Sequence, residues 1–373
     1  MRELGWKVRF SYLPQQFAES GEILAEIRRH LLSCNFTLGP EVEQFEKSFS
    51  ALIGTRHAVG VGSGTDALML SLKALGVGPG DEVITAANTF IATVGAINAV
   101  GARPVLVDVT PYFTVDPGRV EEAITPRSKV LLPVHLTGEP ADMKPIMEIA
   151  SRRGLAVVED ACQAILAKVD GRTAGTFGAA AGYSLHPLKN LNVWGDGGIV
   201  VTDSRDLDGR LRLLRNHGLR SRDEVETLGY NSRLDSIQAI VGNWLIKQVE
   251  DITAKRIANA AKYDEAFAEL EGDVAIPPRR PNVRRVFHLY MIEARRRDDL
   301  YRYLREQGVE AKIHYPIPLH LQTGLAPLGY KEGNFPEAER QARSILTLPA
   351  DQHLASEQIE FAIEAVHSFY RHR

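Results

Sequence analysis

The sequence predicts a doubly wound α/β domain on a mostly parallel sheet, followed by a smaller α+β C-terminal unit. Three observations carry this. Between residues 56 and 205, short β-rich runs alternate with helical stretches, the signature of βαβ units. Most of these runs are continuously apolar rather than alternating, as in strands covered on both faces. Finally, "PPRRP" at 277–281 interrupts a long helical pattern and marks a boundary. A chain of 373 residues has room for a large domain and a smaller one.

The elements follow in order. The first 30 to 45 residues read as helical, expected to pack on the smaller unit or on a second copy of the chain. Strands are expected at 58–62, 82–85, 103–107, 130–135, 155–159, 182–185 and 199–202, with helices at 65–75, 91–100, 117–124 and 141–153. "GVGPGDE" at 76–82 and "DGG" at 196–198 read as turns. A long helical stretch covers 232–270. Beyond the break come a strand at 286–294, a helix at 298–307, a strand at 309–313 and a helix at 356–372. The expected organisation is a helical segment 1–45, a large unit 46–250 and a small unit 251–373.

Composition excludes several classes. Apolar residues make up 44% and charged residues 24%, an ordinary globular balance with a core of useful size. The net charge of −3 advertises no face for nucleic acid. The arginine-rich runs at 277–285 and 295–297 read as a solvated linker and a helix start. Cys34 and Cys162 match no zinc or disulfide spacing, as in a reducing cytoplasm, and no metal site is expected. The opening "MRELGWKVRFSYLPQQF" lacks the apolar region and cleavage site of a signal peptide, and no apolar run approaches the length of a membrane span.

Three stretches carry chemistry. "GVGSGTDAL" at 60–68 follows a strand and opens a helix, so backbone N–H groups and the helix dipole can meet an anion. Thr65 stands where the dinucleotide pattern G-x-G-x-x-G needs its third glycine, which argues against a nicotinamide cofactor. A phosphate monoester cupped by Gly64, Thr65 and the helix end is one reading; an ordinary tight strand–helix turn is the other. In "LAVVEDACQA" at 155–164 a buried strand ends in Glu159-Asp160, where α/β folds place ligands. Asp160 could hold a proton on a heterocyclic nitrogen, or could simply cap a helix. "SLHPLKNLNVWGDGGIV" at 184–200 holds one lysine, Lys189. Most lysines are solvated, but one held partly out of water has a neutral amine available for Schiff-base chemistry. A phosphate cup, a strand-end aspartate and a loop lysine are together what pyridoxal 5'-phosphate (PLP) requires.

These stretches, with "TLGPEVEQFEKSFSALIGTRHAVGVGSGTDAL", "ANTFIATVGAI", "PVHLTG", "RNHG", "YNSRLDSIQA" and "KIHYPIPLHLQ", make the chain resemble the DegT/DnrJ/EryC1/StrS sugar aminotransferases over nearly its whole length. The resemblance implies a fold-type I PLP enzyme working as a cytoplasmic homodimer with an active site shared between subunits. Lys189 would anchor the cofactor and move the proton, Asp160 would pair with the pyridine nitrogen, and Gln163 would hydrogen-bond the ring hydroxyl. Phe90 would stack on the ring, and Gly64, Thr65 and Ser184 would hold the phosphate, completed by Asn231 of the neighbouring subunit. His186, His314, Tyr315 and His320 would border the sugar, though His186 reads equally as structural. The implied reaction moves an amino group from glutamate or glutamine, through the PLP and pyridoxamine phosphate (PMP) forms, to a nucleotide-linked 3-keto or 4-keto deoxyhexose. Relatives that deoxygenate sugars carry histidine where Lys189 stands, which argues for transamination. A keto sugar acid or cyclitol as substrate, sugar dehydration, and a regulatory protein that kept the fold remain as alternatives. No single arginine stands out as the donor's carboxylate clamp; Arg220 and Arg222 are candidates.

Overall fold

A computed structural model of the chain describes residues 5–371. Its main sheet has seven strands in the order β1-β9-β8-β5-β4-β2-β3. These are β1 (His57–Val61), β2 (Glu82–Ala86), β3 (Arg103–Val107), β4 (Ser128–Leu132), β5 (Ala156–Asp160), β8 (Ala180–Ser184) and β9 (Gly198–Thr202). Each overlaps an expected run. Only β9 runs against both its neighbours, β1 and β8; the other pairings are parallel. The carboxyl ends of β1, β5 and β8 therefore share one edge of the sheet, where ligands gather in this architecture. β6 (Lys168–Val169), β7 (Arg172–Thr173) and β11 (Val283–Arg284) form a small separate sheet. β10 (Val274–Ala275), β12 (Tyr290–Ala294) and β13 (Ile345–Leu348) form another.

Glycines let the helix Gly64–Ala74 press onto the sheet. A Cβ on Gly198 of β9 would lie 2.1 Å from Ser63 O, and one on Gly182 of β8 would lie 2.9 Å from Leu68. Ser63 caps this helix by accepting from Asp66 N through its hydroxyl at 3.1 Å. The close approach brings the helix N-terminus against the end of β8.

Several expectations need correction. The run 309–313 makes no strand: Val309 bridges Val8 and Lys312 bridges Thr347, one residue to each partner, so no ladder forms. The strand expected from 286 begins only at Tyr290, because Phe287 adopts a left-handed conformation (φ 48°) and Val286 and Leu289 bond instead to Gly138 O and Thr137 O. The stretch 232–270 is two α-helices, Ser236–Leu245 and Val249–Phe267, joined by a 3-10 turn. The boundaries expected at 45/46 and 250/251 both fall inside helices. Phe45 and Phe49 of Pro40–Ile53 sit together in the core of the main sheet. Val249 joins that core, whereas Tyr263 and Phe267 of the same helix join the core of the β10-β12-β13 sheet. The N-terminal segment divides likewise: Val8 and Tyr12 enter the smaller core, but the helix Gly21–Ser33 packs on Ser236–Leu245. The C-terminal helix is described as far as Arg371; His372, expected to close it, lies outside the described residues. The helices Arg205–Arg215 and Pro336–Ser344 and the strand β13 were not expected. The first was legible, since Ser204 caps it and Leu207, Leu211 and Leu214 recur at helical spacing.

One buried chain of hydrogen bonds ties the ends of the molecule to its middle. Arg256 Nε donates to Gln352 Oε1 (2.8 Å), Gln352 Nε2 to Gln16 Oε1 (2.6 Å), Gln16 Nε2 to Asn192 Oδ1 (2.9 Å), and Asn192 Nδ2 to Lys189 O (2.8 Å). Arginine can only donate, so the sense of every amide in the chain is fixed.

Two outcomes follow. Gly198→Ala is expected to destabilise the protein by about 1–3 kcal/mol, read from its urea midpoint, because Ser63 O is backbone and cannot step aside freely. Gln16→Leu strands one amide on Gln352 and another on Asn192, and is expected to cost about 1–3 kcal/mol in the same measurement.

Candidate active site

A cavity of about 330 Å³ opens at the shared carboxyl edge of β1, β5 and β8. Lys189, Asp160, Gly64, Thr65, Phe90, Gln163, Ser184, His186, His314 and Tyr315, far apart in the sequence, all line it. Volume alone does not single it out. A groove of about 880 Å³ between the helices Gly21–Ser33, Pro40–Ile53 and Ser236–Leu245 is larger, yet none of the expected site residues lines it.

The end of β5 decides between two adjacent carboxylates. Successive strand residues face opposite ways. Glu159 turns into the interior, where Gly175 N, Phe177 N and Gly178 N each donate to it at 2.7 Å. His135 Nε2 lies 2.9 Å from Glu159, while His135 Nδ1 accepts from Ala141 N at 3.0 Å. Nδ1 is thus the bare nitrogen and Nε2 carries the proton given to Glu159. Asp160 faces the cavity and is held by Thr93 Oγ1 at 2.8 Å and Cys162 N at 3.2 Å. The carboxylate is oriented, with acceptor capacity left for a proton-bearing nitrogen.

Lys189 lies in the loop after β8. Its Nζ makes one hydrogen-bonding contact among the described residues, with His288 Nε2 at 3.4 Å. The residue keeps some solvent exposure, but burial of the amine lowers its pKa, against the opposing pull of Cys162 and Asp160. Burial and then the Lys189 charge lower the pKa of His186. Burial and then Lys312 take His314 down to about 4, and its Nδ1 sits 2.9 Å from Thr347 Oγ1. Tyr315 is pushed up to about 12, by burial and then by Asp160. The Phe90 and Tyr315 rings stand 6.0 Å apart, and Phe90 is half exposed.

At the helix N-terminus, the backbone N–H groups of Gly64 and Thr65 precede the one that Ser63 caps. A Cβ on Gly64 would lie 2.7 Å from Ser184 Cβ and 3.0 Å from Cys162 Sγ, so only glycine lets the helix end and Ser184 meet. Gln163 Oε1 already accepts from Thr137 N at 2.7 Å, which makes its amide nitrogen the donor, and one of the two amide hydrogens goes to the Tyr315 oxygen. Anion cradle, oriented carboxylate, amide donor and desolvated amine together match the phosphate, ring nitrogen, ring hydroxyl and aldehyde of PLP.

Two expected residues are not brought here. His320 is fully buried elsewhere, with Nε2 2.9 Å from Glu339 Oε1 and its ring edge-on to Phe335 at 4.8 Å. Glu339 also accepts from Gly333 N and Phe335 N, so His320 belongs to a structural knot rather than to a substrate wall. Asn231 is exposed and bridged to Asn216, outside the cavity of its own chain. Arg220 lies near Glu224 and Glu226 on the surface, and among the described residues no arginine lines the cavity. The sequence reading missed Thr93, Cys162 and His288. Thr93 and Cys162 stand inside motifs already singled out; His288 carried no local signal.

Among the described residues, no helix is long and apolar enough to cross a membrane. The DegT/DnrJ/EryC1/StrS aminotransferase family model matches residues 18–367. A Geobacillus stearothermophilus protein named pleiotropic regulatory protein is 44% identical to this chain, covering 94% of it and 95% of its own length. The dTDP-3-amino-3,4,6-trideoxy-alpha-D-glucose transaminase of Streptomyces venezuelae is 46% identical, over 92% of this chain and 90% of its own. The crystal structure of S. venezuelae DesV in complex with a ketimine intermediate matches with a TM-score of 0.94 and 44% identity, covering 97% of this chain and 98% of that one. Other solved relatives of this fold carry the cofactor as PMP or PLP. Motif order, strand order and cavity chemistry agree with these likenesses, and the chain belongs to the DegT/DnrJ/EryC1/StrS aminotransferase family, PLP-dependent enzymes of fold type I.

Proposed function

We propose that this aminotransferase carries an amino group from glutamate or glutamine to a nucleotide-linked 3-keto or 4-keto deoxyhexose, for the synthesis of amino sugars. The observation that carries it is the desolvated amine of Lys189, set in one cavity with the oriented carboxylate of Asp160 and the helix end at Gly64. The Streptomyces transaminase acts on a dTDP-sugar by its name, and an Acidithiobacillus ferrooxidans relative on a UDP-sugar. That supports a nucleotide sugar and leaves the nucleotide open.

Bound in the cavity, PLP supplies an electron sink through which an amino group can pass to a ketone. The chain supplies the rest. In this reading Asp160 keeps the proton on the ring nitrogen, and Gln163 donates to the ring hydroxyl. Gly64 N–H, Thr65 N–H and the Ser184 hydroxyl hold the phosphate. Phe90 covers one ring face. Lys189 Nζ would move a proton between the substrate carbon and the cofactor carbon, toward the cofactor when the donor reacts and back to the substrate when the keto sugar is aminated. His186, His314 and Tyr315 border the place left for the sugar.

The same reading makes the enzyme a cytoplasmic homodimer, with Asn231 reaching the neighbouring phosphate site. Support comes from the cavity mouth, where Leu188 is 40% and Phe90 51% exposed in a single chain, apolar area that a second subunit would cover. In the same reading the partner subunit would supply the donor's carboxylate clamp. Asp160, Gln163, Ser184 and Lys189 are all present, which favours an enzyme over a purely regulatory protein despite the name of the Geobacillus relative.

The purified enzyme is expected to be yellow, and its visible band to shift when glutamate is added. Lys189→Ala should abolish the lysine-linked band and slow amino transfer by roughly 10²–10⁴-fold. A variant that kept both would remove Lys189 from its assigned place. Mixing the PMP form with 3-keto and 4-keto dTDP-, UDP- and GDP-sugars, and recording which restores the visible band, identifies the acceptor.

A second outcome needs no cofactor. The folded-state pKa of Lys189 lies below the unfolded value of about 10.4. Where both states are protonated, the folded state alone bears the burial cost; above about 10.4 neither does. Lys189→Met is therefore expected to raise the urea midpoint of the cofactor-free protein at pH 7. The gain should fade as pH rises through the window between the two pKa values.

A further inference from the structure

We propose that His288 is a positioning residue for Lys189: its Nε2 accepts a hydrogen bond from Nζ and so turns the lone pair of the neutral amine toward the cavity. The proposal rests on reading Lys189 as the proton-moving amine.

The contact is placed for that task. His288 Nε2 lies 3.4 Å from Nζ, which has no other hydrogen-bond partner among the described residues. An amine that gives one hydrogen to a fixed acceptor keeps its lone pair pointed elsewhere, and the cavity is the open side. Only a neutral imidazole can accept. Burial first, then the charges of Lys189 and Arg256, hold the ring neutral far below the usual histidine range. Packing alone does not account for a histidine here. Its Nδ1 is buried without a hydrogen-bond partner, a cost that an apolar ring would avoid.

The separation of the two groups is set by a closed circuit. Arg256 Nη1 donates to Phe287 O at 3.3 Å and His288 O at 3.4 Å, fixing the backbone that carries the imidazole. From the same guanidinium, the amide chain runs through Gln352, Gln16 and Asn192 to Lys189 O. Lys189 is thus held at its carbonyl by one end of the circuit and met at its amine by the other. The six residues come from the N-terminal segment, the lysine loop, the helix Val249–Phe267, the segment before β12 and the segment after β13, which no local sequence pattern joins.

The other titratable groups around this amine are Asp160 and Cys162 from the end of β5, His186 and Asp196 from its own loop, and His314 and Tyr315 from the segment 311–318. Among the described residues none of them hydrogen-bonds Nζ, so removing His288 leaves the ammonium form without its partner.

The test reads Lys189 in the PMP form of the full-length enzyme, where its amine is free. The pH midpoint for acylation of Lys189 by a small neutral reagent, followed by peptide mass spectrometry, is compared among wild type, His288→Phe and His288→Gln. Loss of the acceptor is expected to lower the midpoint by about one pH unit, the size of a hydrogen bond to a charged group. His288→Gln, which keeps an acceptor on a longer side chain, should move it back toward wild type. All three should retain PMP, and the half-reaction with glutamate should be slower in His288→Phe than in His288→Gln. An unchanged or raised midpoint in His288→Phe overturns the proposal, as does a His288→Gln midpoint equal to that of His288→Phe. If His288→Phe fails to fold, His288→Asn, too short to reach Nζ, carries the same expectation, and a wild-type midpoint there overturns it. Failure of the functional reading would show differently, as a Lys189→Ala enzyme that still forms its visible band.

Discussion

Keeping one primary amine out of bulk water organises the structure around it. Burial makes the ammonium form of Lys189 costly, and the lowered pKa is that cost expressed as chemistry. The cost is tolerable only if the amine cannot escape to solvent, and the lysine loop is accordingly pinned. Asn192 holds the Lys189 carbonyl, and Asn190 donates to Val286 O at 3.1 Å. Stability given up at this point is what the proposed role of Lys189 as the reactive amine would require.

The remaining parts of the site depend on backbones coming closer than side chains normally allow. Glycine at 64, 182 and 198 lets one helix lie on β8 and β9 with its N-terminus against Ser184. The sheet then contributes direction. β1, β5 and β8 end on one edge, so a helix dipole, a carboxylate and the loop that carries the lysine converge although the chain visits them in three separate passes. The β10-β12-β13 sheet closes the other side, sending His288 and the segment 311–318 to the cavity wall.

Local pattern and tertiary context contributed unequally to what could be read. The seven strands of the main sheet were legible because continuous apolar runs bounded by turns have few other uses. The failures cluster where a residue's partner is distant. The run 309–313 looks like a strand but meets two different partners for one residue each, and Phe287 breaks a convincing strand pattern with a left-handed turn. His320 stood in a motif beside His314 and Tyr315, yet packs against Glu339 away from the cavity. Asp160 was the expected ligand, with helix capping as its alternative; strand alternation turns it to the cavity and sends Glu159 to His135.

By itself, the sequence determined the alternating architecture and, with its resemblance to the family, the cofactor; it also pointed to Asp160, Gln163, Ser184 and Lys189, which line one cavity. Only the tertiary structure decided which carboxylate faces the cavity, that His320 does not, and that His288 meets Lys189 while a buried amide chain joins Gln16, Asn192, Gln352 and Arg256. The reason is physical. Motifs record contacts between near neighbours in the chain, whereas desolvation and hydrogen-bond geometry are set by whichever distant residues the fold packs around a group.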